Sequence, residues 1–254
     1  MNKKSIPAEE KQGDATDMDI KLVLFDLDGT LLPMNQDEFT KGYFKLLVNT
    51  MVPYGYDSEK LVGSVWSGIS AMVKNNGKQS NEEVFWERFG EIYGRKAADD
   101  KPLFEEFYRC EFQEAKELCG YNPKAGESVR KIKGMGIKVA LATNPVFPNI
   151  ATVSRMAWAG LKPSDFEWYT TYENIGFCKP NPEYYREVVK RLRAKPEETL
   201  MVGNDVEEDM EAGIAAGVNV FLLTDCLINR ERRDINQYPR GSFEQLMGYI
   251  WKNE

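Results

Sequence analysis

Two aspartates stand one residue apart in FDLDGT, Asp26 and Asp28, at the end of an apolar run and directly before Gly29. Carboxylates that close repel each other, so either the fold recovers the cost or a cation sits between them. The 254 residues include no histidine. This removes Ser–His and Cys–His nucleophilic machinery and every imidazole acid or base. Any chemistry falls to carboxylates, lysine, hydroxyls or a metal.

Three more groups of that kind follow. ATNP carries Thr143 and Asn144, CKPNP places Lys179 in a proline-bounded loop, and GNDVEED holds Asp205 and Asp209 one helical turn apart. Acids, a hydroxyl and a lysine suit the handling of a phosphate with a hard cation. Magnesium prefers oxygen ligands and is held by one or two carboxylates plus phosphate oxygens. It would also relieve the repulsion between Asp26 and Asp28. Taken alone, Asp205 and Asp209 read as acids that satisfy a helix dipole.

These groups need strands to align them. IKLVLFDL (20–27) is a short continuous apolar run, as a strand buried on both faces requires. Similar runs occur at 137–143, 166–172, 199–204 and 218–224, with helical patterns at 126–136, 148–161, 182–193 and 207–217. Strand–helix alternation implies a parallel sheet with helices on both faces, an α/β fold with a Rossmann-like core. Each candidate group then falls at a strand end on one edge of the sheet.

The alternation is interrupted between the first strand and the second. Residues 34–121 are aromatic and amphipathic, with apolar positions at three- and four-residue steps, and predict about four helices. This gives three segments: a polar mobile tail at 1–19, an α/β core from 20–33 and 122–254, and a smaller helical domain from 34–121. Leaving beside the carboxyl end of the first strand, the helical domain could close over a ligand bound at that edge.

Composition narrows the classes. A net charge of −7 opposes nucleic-acid binding, and 42% hydrophobic with 29% charged residues is ordinary for a globular protein. No apolar run approaches a membrane span, and the basic start has no apolar stretch behind it, so no secretion signal is read. Four cysteines form no CxxC pair, which fits free thiols in a reducing cytoplasm.

DLDGT, the Thr of ATN, the Lys of CKP and the acidic GND…D, in that order, resemble the haloacid dehalogenase superfamily of hydrolases. The resemblance covers residues 20 to about 250. It is to the phosphatases with a helical cap inserted after the first strand, as in phosphoglycolate phosphatases. It implies that Asp26 is the nucleophile forming an aspartyl-phosphate, and that Asp28 protonates the leaving alcohol and then deprotonates water. Thr143 and Asn144 would bind a phosphoryl oxygen beside Gly29, and Lys179 would balance charge. Magnesium would be held by Asp26, the Asp28 carbonyl and Asp205, with Asp209 behind. Asn204 departs from the family pattern by preceding Asp205, and either residue could be the third ligand.

An aspartate at 28 favours phosphate esters over the haloacid and phosphonate chemistry of the same scaffold. A phospho-accepting receiver domain is the alternative of another class, but such domains are half this length and have no helical insert. The implied substrate is a small phosphorylated metabolite such as a sugar phosphate or phosphoglycolate-like acid, and the protein a monomer or weak homodimer. Arg88, Arg95, Arg109, Trp66 and Trp86 are candidates for facing the leaving group. Lys74, Lys78 and Lys101 read as solvated surface charges.

Overall fold

The computed structural model describes residues 19–94 and 99–251. The expected tail, apart from Asp19, and Arg95 lie outside the described residues. Strand β1 (Leu22–Phe25) is flanked by β2 (Lys138–Leu141) and β3 (Thr199–Gly203). Strands β4 (Asn219–Leu223) and β5 (Arg240–Gly241) continue outward from β3. The order is β2-β1-β3-β4-β5 and all pairings are parallel.

Side chains alternate across the sheet, so an unbroken apolar strand feeds two cores at once. Val23 and Phe25 enter one hydrophobic cluster with Val139, Leu141, Leu200 and Val202. Leu22 and Leu24 enter the other, with Ala140, Met201 and Leu222. That is why β1 shows no polar alternation.

Helices α1 (Gln36–Met51), α2 (Ser58–Val73), α3 (Asn81–Tyr93) and α4 (Lys101–Arg109) lie between β1 and β2. Their starts are marked by side-chain caps: Asn35 accepts from the Asp37 and Glu38 amides, and Ser80 forms a reciprocal box with Glu83. Phe39, Phe89, Phe104, Phe107 and Phe112 are buried in the cluster on the Val23 side of the sheet. The chain leaves and returns through one antiparallel bridge, Met34 to Cys119, beside a Gly120 N–H to Pro33 carbonyl bond of 2.7 Å.

The start of α3 is tied to the core loops. The buried Asn81 side chain donates to the carbonyls of Pro145 and Phe177, each at 3.3 Å. Backbone bonds from Asn81 to Ile175 and from Glu82 to Tyr172 complete the tie.

The core helices are α5 (Pro123–Gly134), α6 (Asn149–Trp158), α7 (Pro182–Arg191), α8 (Ala212–Ala215) and α9 (Phe243–Trp251). Two expectations change. The run at 166–172 is not a strand; it makes a single parallel bridge, Tyr169 to Leu141, and then turns at Thr171. The helix expected at 207–217 opens as a π-helical turn over Val206–Glu211, where the Met210 N–H reaches the Asp205 carbonyl five residues back. Strand β5 and helix α9 had no separate signal in the sequence reading.

Candidate active site

The sheet ladder itself assembles the site. Ala142 N–H donates to the Phe25 carbonyl at 2.7 Å, and Asp26 N–H to the Val202 carbonyl at 2.9 Å. The residues that follow each strand, Asp26, Thr143 and Asn204, therefore emerge side by side. The chain reverses its direction of travel across the sheet between β1 and β3, and an α/β sheet of this order opens its ligand crevice there.

A cavity of about 540 Å³, counting its open mouth, occupies that crevice. Asp26, Asp28, Thr143, Asn144, Asn204, Asp205 and Asp209 line it together with Glu208 and Arg230. Lys179 is buried and reaches Asp26 Oδ1 at 2.9 Å and Asp209 Oδ1 at 2.6 Å. Burial works to strip the ammonium of its proton, but Asp209 and Asp26 outweigh it and hold the pKa well above the ordinary lysine value. Asp26 is raised above the usual carboxylate range, chiefly because burial penalises its charge against the pull of Lys179.

Asp209 is fully engaged. Its Oδ1 also accepts from the Tyr185 hydroxyl at 3.3 Å, and its Oδ2 accepts from the backbone N–H groups of Asn204 and Asp205. The widened first turn of the 206–211 helix carries Asp209 back over the strand end. Gly203 is required under it, because a Cβ there would overlap the Asp209 carboxylate. Gly29 has φ +85°, in the left-handed region, and a Cβ on it would overlap the Asn204 amide.

Thr143 is buried, with its carbonyl held by the hydroxyls of Thr170 at 2.7 Å and Tyr184 at 2.8 Å. The Asn144 amide donates to Glu208 Oε2 at 3.1 Å, not to the open cavity, and its Oδ1 is buried without a partner. Both ends of Asn204 are used internally: Oδ1 accepts from Thr30 at 3.0 Å and Nδ2 donates to the Cys226 carbonyl at 2.7 Å. Asp205 Oδ1 caps the Glu207 and Glu208 amides, and Oδ2 meets Arg230 Nη1 at 2.9 Å.

Three residues went unread in the sequence. Arg155, completely buried, pairs with Asp28 Oδ2, while Asp28 Oδ1 is buried and unpartnered. A cation in the apolar stripe of α6, one turn from Ala151 and Ala159, was the available signal. Glu208 lines the cavity, and removal from solvent pushes its carboxyl to about 7. Arg230 reaches Asp205 from a loop after β4, and nothing local marks it.

The oxygen chemistry suits a hard cation: Asp26, Asp205 and Glu208 face one cavity, and an Asp28 oxygen there has no partner. Among the described residues no group of three or more acidic, Cys or His side chains is arranged as a metal cluster. Asp205 is turned toward Arg230, whose side chain is mostly exposed and free to yield.

The candidates on the helical insert sit elsewhere. Arg88 pairs with Glu91 and Ser67, Arg109 with Glu105 and Glu106, and Trp66 is exposed against Phe44. Lys74 and Lys78 are exposed, and Lys101 pairs with Glu82. Of the four candidates among the described residues, Trp86 is the one that lines a cavity near the site. None of the described helices is long and apolar enough to cross a membrane.

The chain is similar to known phosphate-releasing enzymes and to solved hydrolase folds. Pyrophosphatase PpaX of Bacillus cereus is 28% identical over 217 residues, which cover 84% of this chain and 87% of the relative. Glyceraldehyde 3-phosphate phosphatase of Methanothermobacter thermautotrophicus is 24% identical over 224 residues, covering 86% and 92%. In fold, the chain matches the HAD-hydrolase YfnB of Bacillus subtilis, solved bound to magnesium, with a TM-score of 0.56, 21% identity and coverage of 91% and 98%. The model of the haloacid dehalogenase-like hydrolases matches residues 20–217, more than half of the chain, and the chain belongs to that family.

Proposed function

We propose that this hydrolase is a magnesium-dependent phosphatase that passes the phosphoryl group of a small phosphate ester first to Asp26 and then to water. The observation that carries the reading is the setting of Asp26. Asp26 directly follows β1, one carboxylate oxygen is anchored 2.9 Å from a buried lysine, and Asp28 lines the same cavity. An anchored carboxylate keeps its second oxygen aimed along one line, which an in-line attack on phosphorus requires.

The other roles follow from position. Lys179, held by Asp209, balances charge on the nucleophile and the transferring group. The Thr143 hydroxyl and the turn at Gly29 receive phosphoryl oxygens, and the Asn144 amide would join them on release from Glu208. Asp28 gives a proton to the departing oxygen and takes one from the incoming water. Asp26, Asp205 and the Asp28 carbonyl would hold magnesium, with Asp209 behind them; Asn204 is occupied by Thr30 and Cys226, which favours Asp205 as the third ligand. Bound there, the cation supplies positive charge to the phosphate and offsets the crowded carboxylates.

Residues 34–121 act as a cap over the sheet edge, and 20–33 with 122–254 as the catalytic core. Both relatives carry names of phosphate-releasing enzymes, a pyrophosphatase and a phosphatase, which supports the reaction class. The four free cysteines fit action in the cytoplasm on a small phosphorylated metabolite, as a monomer or weak homodimer. The test is phosphate release from acetyl phosphate with and without magnesium, in wild type and Asp26→Asn. The reading requires release that depends on magnesium and is lost in the variant, since an amide cannot attack phosphorus. Release by Asp26→Asn at more than a few per cent of wild type sinks the nucleophile assignment.

A further inference from the structure

A second cavity lies beside the carboxylate one. It holds about 590 Å³ counting its mouth, and the two share Val146 and Phe147 in their walls. Its remaining walls come from all four helices of the insert and from the loops after β2, with Ile69, Phe85, Trp86 and Phe104 supplying apolar surface.

Several polar groups on these walls already have partners, Glu105 among them through Arg109 at 3.4 Å. The Tyr43 and Tyr108 hydroxyls meet at 2.9 Å, the Trp86 indole N–H donates to the Tyr172 hydroxyl at 3.3 Å, and Lys101 pairs with Glu82. A polyol entering here would leave water for walls that are mainly aromatic and aliphatic, and each hydroxyl left unpaired weakens binding. An aromatic ring or alkyl chain loses nothing of the kind. It gains burial against aromatic faces.

We propose that this cavity receives the leaving group of the substrate, and that the group is an aromatic or aliphatic alcohol in place of a sugar. The inference rests on the phosphatase reading above and names the substrate class of that site. The shared residues give the occupant its identity, because a molecule whose phosphate lies among Asp26, Thr143 and Asn144 would reach this space by passing Val146 and Phe147. The P–O bond breaks toward the alcohol oxygen, which takes a proton and leaves as the free alcohol. A water oxygen replaces it on phosphorus, and inorganic phosphate is the second product.

The experiment compares kcat/KM for 2-phenylethyl phosphate and glucitol 6-phosphate, both esters of primary alcohols, with acetyl phosphate as a reference that does not fill the cavity. The phenylethyl ester should be favoured over the glucitol ester by roughly tenfold or more, mainly through KM. In Ile69→Trp, which fills the cavity from α2, the ratio of phenylethyl to acetyl phosphate turnover should fall by a similar factor. Calorimetric binding of 2-phenylethylphosphonate should weaken in the same variant, with a negative heat-capacity change in wild type. Equal or better use of glucitol 6-phosphate overturns the inference and leaves the phosphatase reading intact. If no ester or acetyl phosphate is hydrolysed while the phosphonate still binds and Ile69→Trp weakens it, the phosphatase reading fails and the apolar cavity stands. The wild-type comparison decides the matter even if the variant does not fold.

Discussion

Arg155 and Asp28 form an ion pair across 127 residues of sequence, with the arginine completely buried on α6 and the aspartate on the turn after β1. The guanidinium is held on every side. Its Nε reaches the Ala151 carbonyl and its Nη2 the Thr152 hydroxyl, each at 3.4 Å, and its Cζ lies 4.3 Å from the centre of the Phe147 ring. The pair fixes Oδ2 of Asp28 and leaves Oδ1 buried without a partner.

Arg155→Met keeps the apolar stem against Phe147 and removes the charge. Asp28 then stays half-buried with no cation, and breaking one side of such a pair costs about 3 kcal/mol, somewhat less here because Asp28 retains some solvent contact. Urea unfolding should show the loss as a lower midpoint at unchanged slope. Phosphate release should fall in kcat more than it rises in KM, because Asp28 is no longer aimed. Stability within about 0.5 kcal/mol of wild type, the range of an ordinary surface change, would mean that the pair is not coupled to the fold.

Asp209→Asn tests the support beneath Lys179. The carboxylate uses one oxygen for Lys179 and Tyr185 and the other for two backbone N–H groups. An amide has a single acceptor oxygen, so one set of donors must face an NH₂. Loss of a fully buried partner predicts destabilisation of about 3 kcal/mol, measured by denaturant unfolding, with activity reduced as Lys179 loses its anchor. A variant as stable as wild type, with full activity, would show that Asp26 alone positions the lysine.

How far these features could be read in advance depends on whether their causes are local. Strand β1 was legible because burial on both faces forces a continuous apolar run, and the Asp26–Gly29 turn because a backbone at φ +85° beside Asn204 admits only glycine. Thr143, Lys179 and Asp205 were legible because each follows or borders a short element with its own sequence punctuation. Arg155, Glu208 and Arg230 were not, since their meaning lies in partners brought close only by the sheet. The segment 166–172 had strand composition, but its register runs out after one bridge as Thr170 turns its hydroxyl to the Thr143 carbonyl. The π-helical opening of 206–211 follows from what Asp209 must reach, which no periodicity in EEDMEAG encodes.

Arg230 and magnesium compete for the same carboxylate if Asp205 is a ligand. Arg230 Nη1 lies 2.9 Å from Asp205 Oδ2, on a side chain mostly in solvent, where such a pair is worth little. Arg230→Ala should therefore leave stability almost unchanged and lower the magnesium concentration for half-maximal activity several-fold. Asp205→Asn should raise it by at least tenfold, and direct titration with manganese as a spectroscopic substitute should move the same way. If Asp205→Asn binds the metal as wild type does, the third ligand lies elsewhere, and Glu208 is another carboxylate lining the cavity.

The two aspartates of FDLDGT should separate in time. If Asp28 serves as acid in the first step and base in the second, Asp28→Asn impairs both, but unequally with the leaving group. An alkyl phosphate needs its departing oxygen protonated, so the first step should slow by roughly 10²–10⁴, the usual contribution of a positioned proton donor. Nitrophenyl phosphate leaves without that help, so Asp26 is still phosphorylated. Water attack then lacks its base, and the phospho-enzyme accumulates. Rapid quench should find a burst of nitrophenol near one per enzyme, slow turnover afterwards, and a hydroxylamine-labile phosphate on Asp26. Arg155 sharpens the test, since the pair it forms with Asp28 is lost in Asp28→Asn as well, and Arg155→Met should reproduce the fall on alkyl esters only in part. Steady turnover of nitrophenyl phosphate by Asp28→Asn, with no burst and an unchanged rate on alkyl esters, would leave Asp28 with a structural duty alone: to pair with Arg155 and hold the turn that carries Asp26.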